Sequence, residues 1–154
     1  MGLYEEVGYK VWRVNYGNHI RGMFYQFGQN LLNHETIYKF LASSYWAKNR
    51  SVGRIDKSIE TSLCYGVYHG KKQIGFARVI TDWATTYWLC DVVIDDEYRG
   101  KGIGKKLIEA IIQSEELKDL SGFLGTADAH GLYERFGFKK DAERFMVRRP
   151  LLQK

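Results

Sequence analysis

The hydrophobic pattern changes period several times along the chain, and each change marks an element. Val7 to Val14 alternates weakly and Ile20 to Phe27 gives a second strand-like run, with Asn15-Tyr-Gly-Asn18 between them as a turn signal, so a hairpin is expected. Ile37, Phe40, Leu41, Ser44 and Tyr45 then recur at helical spacing behind Asn33, a residue suited to capping, which predicts a helix over 34–46. Lys48 to Gly53 is a polar loop, and Asp56 is expected to cap a short second helix carrying Ile59 and Leu63. Cys64 to His69 and Gln73 to Thr81 read as strands joined by the turn His69-Gly-Lys-Lys72; Asp82 to Thr85 turns again into a strand over Thr86 to Ile94. Ile103, Leu107, Ile108, Ile111 and Ile112 share one side of a helix predicted over 103–114. Gly122 to Thr126 is a short apolar strand. Asp128 is placed to cap a helix running through Phe136 and closed by Gly137, and Phe138 to Asp141 and Arg144 to Arg148 read as final strands. The order β, α, α, β, β, β, α, β, α, β, β describes an α/β chain with a mixed sheet and helices on both faces, and residues 1–154 are expected to form one domain.

The most informative stretch is Asp91 to Leu107, DVVIDDEYRGKGIGKKL. A buried strand enters it, an amphipathic helix leaves it, and glycines at 100, 102 and 104 lie between. Such a turn aims several backbone N–H groups at one spot, where the helix dipole favours an anion and the absence of Cβ atoms allows a phosphate to come close. Arg99, Lys101, Lys105 and Lys106 add positive charge. The spacing is wrong for the dinucleotide fingerprint G-x-G-x-x-G, and Arg99 and Lys106 stand where a Walker A loop needs Gly and Ser/Thr.

Composition narrows the reading. The net charge of +5, from 23 basic and 18 acidic residues, is mild and scattered apart from the loop, so no nucleic-acid partner is expected; a basic surface suits a ligand with several phosphates. Cys64 and Cys90 lack metal-ligand spacing, so no metal is expected, and both lie in apolar runs as buried thiols suited to a reducing compartment. No membrane-spanning run or signal peptide is visible, which points to a cytoplasmic location and no membrane partner.

Arg99-Gly-Lys-Gly-Ile-Gly104 resembles the pyrophosphate loop Gln/Arg-x-x-Gly-x-Gly/Ala of the GCN5-related N-acetyltransferases, with Arg99, Gly102 and Gly104 on the motif positions. Ala129-His-Gly-Leu-Tyr-Glu-Arg-Phe-Gly-Phe138 is similar to that family's second motif, a helix with a tyrosine that ends in Gly-Phe, and Leu89 to Ile94 matches the strand before the loop. The string Thr126-Ala-Asp-Ala-His-Gly-Leu-Tyr133 resembles a bacterial branch of the family. The resemblance spans residues 63–140.

It implies transfer of an acetyl group from acetyl-CoA to a primary amine within a ternary complex. Arg99, Gly100, Lys101, Gly102, Ile103, Gly104 and Lys105 would hold the pyrophosphate. Val92, Val93 and Ile94 would face the pantetheine arm, one of the two valines supplying an N–H to the thioester carbonyl, and Thr126 is a further candidate contact. Tyr133 would protonate the leaving thiolate; otherwise it is a core aromatic beside Leu132 and Phe136. Asp91, inside an apolar run, would take the amine proton directly or through water, or would instead be a buried anchor paired with Arg78. Trp88-Leu-Cys-Asp91 is also similar to the polyamine acetyltransferases, with Cys90 in place of their Glu. His130 is a further candidate base or CoA contact. Tyr45, Trp46, Arg50 and Arg78 are candidate acceptor-side residues. A homodimer is compatible with the family, and a silent acyl-CoA-binding sensor is the competing reading.

Overall fold

The computed structural model describes residues 31–150 in full and the backbone of residues 2–6, 9–13 and 23–27. Strands β1 (Gly2–Glu6), β2 (Tyr9–Arg13) and β3 (Met23–Phe27) are followed by helices α1 (His34–Ala42) and α2 (Val52–Glu60). Strands β4 (Leu63–His69), β5 (Lys72–Thr81) and β6 (Thr86–Ile94) come next, then α3 (Ile103–Ile112), β7 (Ser121–Phe123) and α4 (His130–Glu134). The seven strands form one sheet in sequence order, antiparallel throughout except for the parallel pair β6–β7. It is the mixed sheet expected from the sequence. The anticipated hairpin is the antiparallel pair β2–β3, while its turn, Asn15 to Asn18, lies outside the described residues.

The sheet is covered on both faces. On one, Ile103, Leu107 and Ile111 of α3 pack on Tyr65, Val67, Ala77, Val79, Tyr87 and Leu89. On the other, Ile37, Phe40 and Leu41 of α1 with Ile55 and Ile59 of α2 pack on Cys64, Phe76 and Val93. Double coverage explains why β4 and β5 are buried almost without alternation, as strands with two apolar faces are.

Several expectations are corrected. Ser51, not Asp56, caps α2: its side chain accepts from the Arg54 N–H. Asp56 lies within the helix and bridges to α1, accepting from the Tyr38 hydroxyl and facing His34 Nδ1 at 2.9 Å. Leu63 opens β4 instead of continuing α2. The strand expected over Gly122 to Thr126 is Ser121–Phe123. Asp128 does not cap α4; the N–H of Ala129 goes to the Thr126 hydroxyl, which frees the Asp128 carboxylate for Tyr45. α4 ends at Glu134 with Arg135 as its cap, short of the expected Phe136; Gly137, at φ 86°, lies in the turn that follows, where the Phe138 N–H returns to the Tyr133 carbonyl at 3.3 Å. Residues 138–141 and 144–148 form no strand. Phe145, Met146 and Val147 are exposed, so the β-prone composition there finds no neighbouring edge to pair with.

Cys64 is buried and Cys90 is half-buried. Burial pushes the Cys64 thiol up to about 12 and the Cys90 thiol up to about 11, with Arg78 pulling the other way in both. Native protein treated with iodoacetamide at pH 8 is therefore expected to keep Cys64 unmodified and to label Cys90 only slowly, as peptide mapping by mass spectrometry will show. Because both values are raised on folding, the stability these groups contribute is complete below the ordinary thiol value of 9.0 and is lost as pH rises toward 12.

Candidate active site

The sheet opens at its only parallel junction among the described strands. β6 and β7 are joined at Thr86–Ser121, Tyr87–Gly122 and Trp88–Phe123, and no ladder pair follows. From Leu89 onward β6 has no strand partner on that side among the described residues. The opposite edge of β6 is irregular at the same level. Arg78 faces Cys90 and Phe76 faces Val93, so Ala77 spans both Asp91 and Val92. This is a β-bulge, and Asp91 sits in it with φ 53°, a left-handed conformation that Asp tolerates better than most residues.

The Asp91 side chain shows what holds the bulge. One carboxylate oxygen accepts from Arg50 Nη1 at 2.8 Å and from Arg78 Nε at 2.9 Å; the other accepts from Trp46 Nε1 at 3.2 Å. The Asp91 side chain is 2% exposed, those of Arg50 and Arg78 25% and 11%. The anticipated Arg78 partner is thus present, and Arg50 and Trp46 join it from the loop after α1. Removing the carboxylate would leave two guanidinium groups together in a poorly solvated place. Asp91→Ala is expected to destabilise the protein by about 3–5 kcal/mol in urea unfolding. Asp91→Asn, which tolerates the same backbone angle, should lose less.

Tyr45 carries the helix–loop–helix across to the other side of the opening. Its hydroxyl accepts the Ala127 N–H at 3.1 Å and donates to Asp128 at 3.4 Å, while its ring meets Trp46 edge-on at 5.0 Å. Tyr133 of α4 lies close to Tyr45 and Asp128 and packs on the same apolar cluster as Val92 and Ile94. Burial first, then the Tyr45 and Asp128 charges, push its phenol up to about 12. Its hydroxyl is therefore fully protonated at neutral pH. Asp91, Tyr133, Tyr45, Trp46 and Arg78 are in this way linked around one opening. His130 is at the first position of α4, and Thr126 is engaged in the turn before it.

The glycine loop lies at the end of β6. After a 3-10 turn (Asp96–Tyr98), Gly100 and Gly102 adopt φ 77° and 80°, and a Cβ at either would point into open space. Gly102 caps the ten-residue α3 and, being glycine, supplies no side-chain hydrogen bond of its own. The positive cluster is partly spent locally. Arg99 Nε meets Asp96 at 3.0 Å and the Ile94 carbonyl at 3.2 Å, Lys106 pairs with Glu109, and Lys101 lies over the Tyr98 ring at 5.3 Å. Tyr98 is itself fixed by His69 Nδ1 at 2.8 Å, a partner the sequence does not reveal. Among the described residues no cluster of His, Cys, Asp or Glu could hold a metal, and no helix is long and apolar enough to cross a membrane.

A mixed sheet thus opens beside a bulged strand, above a glycine loop and a helix start. The acetyltransferase (GNAT) domain model matches residues 60–140, and the chain belongs to that family. A GNAT-family protein from Xanthomonas campestris pv. campestris superposes with a TM-score of 0.80 at 34% identity, over 85% of this chain and 95% of that one. A Bacillus subtilis acetyltransferase in complex with CoA shares the fold, with a TM-score of 0.61 and 22% identity over 77% of each chain. Among curated relatives, the chloroplastic GCN5-related N-acetyltransferase 2 of Arabidopsis thaliana is 36% identical over 75 residues, 47% of this chain and 29% of its own length. The spermine/spermidine N(1)-acetyltransferase of Bacillus subtilis is 44% identical over 62 residues, 36% of this chain and 41% of its own. The chain thus spans less than half the length of either. These relatives include plant and bacterial proteins, so they do not single out the bacterial branch expected from the sequence.

Proposed function

We propose that the chain is an acetyl-CoA-dependent N-acetyltransferase that joins the acetyl group to a primary amine by direct attack. The observation that carries this reading is the end of the β6–β7 ladder at Trp88, beside the bulge and above the loop at the start of α3. Pantetheine carries amides, as a peptide strand does, and the unpaired edge over Val92 to Ile94 offers matching backbone groups. The N–H groups of Gly100 to Lys105 suit the pyrophosphate. Bound CoA in the Bacillus subtilis neighbour supports acetyl-CoA as the co-substrate.

In the reaction the amine nitrogen attacks the thioester carbon, and a backbone N–H at Val92 or Val93 steadies the oxygen as it gains charge. The C–S bond breaks as the carbonyl re-forms. The Tyr133 hydroxyl gives its proton to the departing sulfur and regains one from the amine nitrogen through water. Asp91 is a positioning residue in this scheme: its two oxygens already hold three donors, two of them guanidinium groups. It keeps the bulge in the shape that frees the strand N–H.

Calorimetry with acetyl-CoA, followed by an amine panel read as release of the CoA thiol, tests the proposal. Binding with thiol release that depends on the amine is expected. Binding without release from any amine would make the chain an acyl-CoA sensor, and absence of binding would remove both readings.

A further inference from the structure

The sheet face that carries α1 and α2 is not fully covered, and what it leaves open has a definite chemistry. Cross-strand register puts Arg78 opposite Cys90 and Ile80 opposite Trp88, on the face shared with Phe76 and Val93. Phe76 and Val93 are buried by the helices, whereas Ile80 and Trp88 are 49% and 39% exposed. Phe123, level with Trp88 on β7, stacks on it at 6.1 Å and 17°, and Phe145 closes edge-on against both rings. An apolar, largely aromatic strip therefore leads up to the Arg78–Asp91–Arg50 cluster. In that cluster two guanidinium groups share one carboxylate oxygen, which leaves a net charge of +1. The Arg50 side chain is the most exposed of the three, and among the described residues only its Nη1 is engaged. A carboxylate, Asp128, is held by the Tyr45 hydroxyl, whose ring meets Trp46.

We propose that the acceptor is an amine on an apolar, aromatic-sized body that also bears a carboxylate, and that Arg50 reads that carboxylate. This rests on the acetyltransferase reading above. A guanidinium with free N–H groups matches a planar carboxylate in shape and charge. The aromatic strip takes the apolar body, and Asp128 draws the amine end toward Tyr133. A polyamine lacks both features and meets the surplus positive charge of the cluster. The residues thus describe an acceptor class without net positive charge, unlike the polycation named for the Bacillus subtilis spermine/spermidine relative.

The test uses L-phenylalanine and L-phenylalaninamide, which differ in the carboxylate, with spermidine as a third acceptor. Binding is read by calorimetry in the presence of CoA, and turnover by thiol release. The carboxylate member is expected to be preferred by roughly ten- to a hundredfold in kcat/KM, the worth of a charge-assisted hydrogen bond. Arg50→Gln should erase that preference and Arg50→Lys should keep part of it, read as the ratio of the two acceptors within each variant so that any change at the Asp91 bulge cancels; Trp88→Ala should weaken both aromatic members equally. Preference for the amide or for spermidine, equal handling of the pair in both binding and turnover, or an intact preference in Arg50→Gln would overturn the proposal. Loss of acetyl-CoA binding in the unaltered protein is a different result, and brings down the transferase reading on which this one stands.

Discussion

Tyr133→Phe is expected to lower kcat by about 100- to 10,000-fold, the range that general acid catalysis contributes, while acetyl-CoA affinity stays close to that of the unaltered protein. The ring is kept, and with it the edge contact to Phe138 at 6.0 Å and the packing on the core cluster that α3 covers. The turn that closes α4 is also kept, because it uses the Tyr133 backbone carbonyl. Only the hydroxyl is lost. Since burial holds that hydroxyl up at about 12, its ionisation lies above the range of an ordinary activity assay. Rates should therefore not fall between pH 8 and pH 10 through loss of this proton, and a limb in that interval would report the amine. Steady-state kinetics on any accepted amine, with calorimetry on acetyl-CoA, separate the two quantities. A mutant that turns over at the original kcat would leave Tyr133 as a core aromatic, with water protonating the sulfur.

Gly104→Glu is expected to abolish acetyl-CoA binding in a folded protein. A Cβ at this position meets Ile94 Cγ1 at 3.6 Å, an ordinary contact, and the backbone is helical, so the substitution carries little strain. Gly102 is a less clean choice, because its φ of 80° resists any side chain. The new carboxylate would stand at the start of α3, where the pyrophosphate is proposed to sit. A like-charge pair about 4 Å apart at an effective dielectric of about 20 costs about 4 kcal/mol, roughly a thousandfold in affinity. Gly104→Ala controls for volume and should bind almost normally. Equal acetyl-CoA affinity in the folded glutamate variant would move the phosphate site elsewhere.

The glycine loop and the strand before it are readable from the chain because their chemistry is local. Glycines at 100 and 102 are required by their own φ angles, and the apolar run ahead of them is continuous. The bulge is not readable, and for a physical reason. Thr86 to Ile94 is apolar on both sides of Asp91, so the shift in facing there changes no period in the hydrophobic pattern. The clamp on Asp91 is only half readable. Arg78 is a cross-strand neighbour of Cys90 and can be anticipated, whereas Arg50 arrives from 41 residues away through a loop whose path no periodicity fixes. A capping signal fails as well. The expected cap of α2, Asp56, lies inside the helix and is held by Tyr38 and His34 of α1, while Ser51 caps the helix one turn earlier than expected. The last expected strands fail for the opposite reason: residues 144–148 have strand-like composition, but a strand also needs a partner edge, and a local pattern does not supply one.

The bulge also separates what the sheet needs from what the site needs. Ahead of it Tyr87 and Leu89 face α3; beyond it Val92 and Ile94 do. Excising Asp91 alone would seat Val92 opposite Ala77, between Cys90 on Arg78 and Val93 on Phe76, and every remaining residue of β6 would keep its present face. By ladder geometry Asp91 is surplus: an uninterrupted strand one residue shorter would build the same sheet. The sheet and the proposed reaction thus make different demands on chain length, and they part at this position.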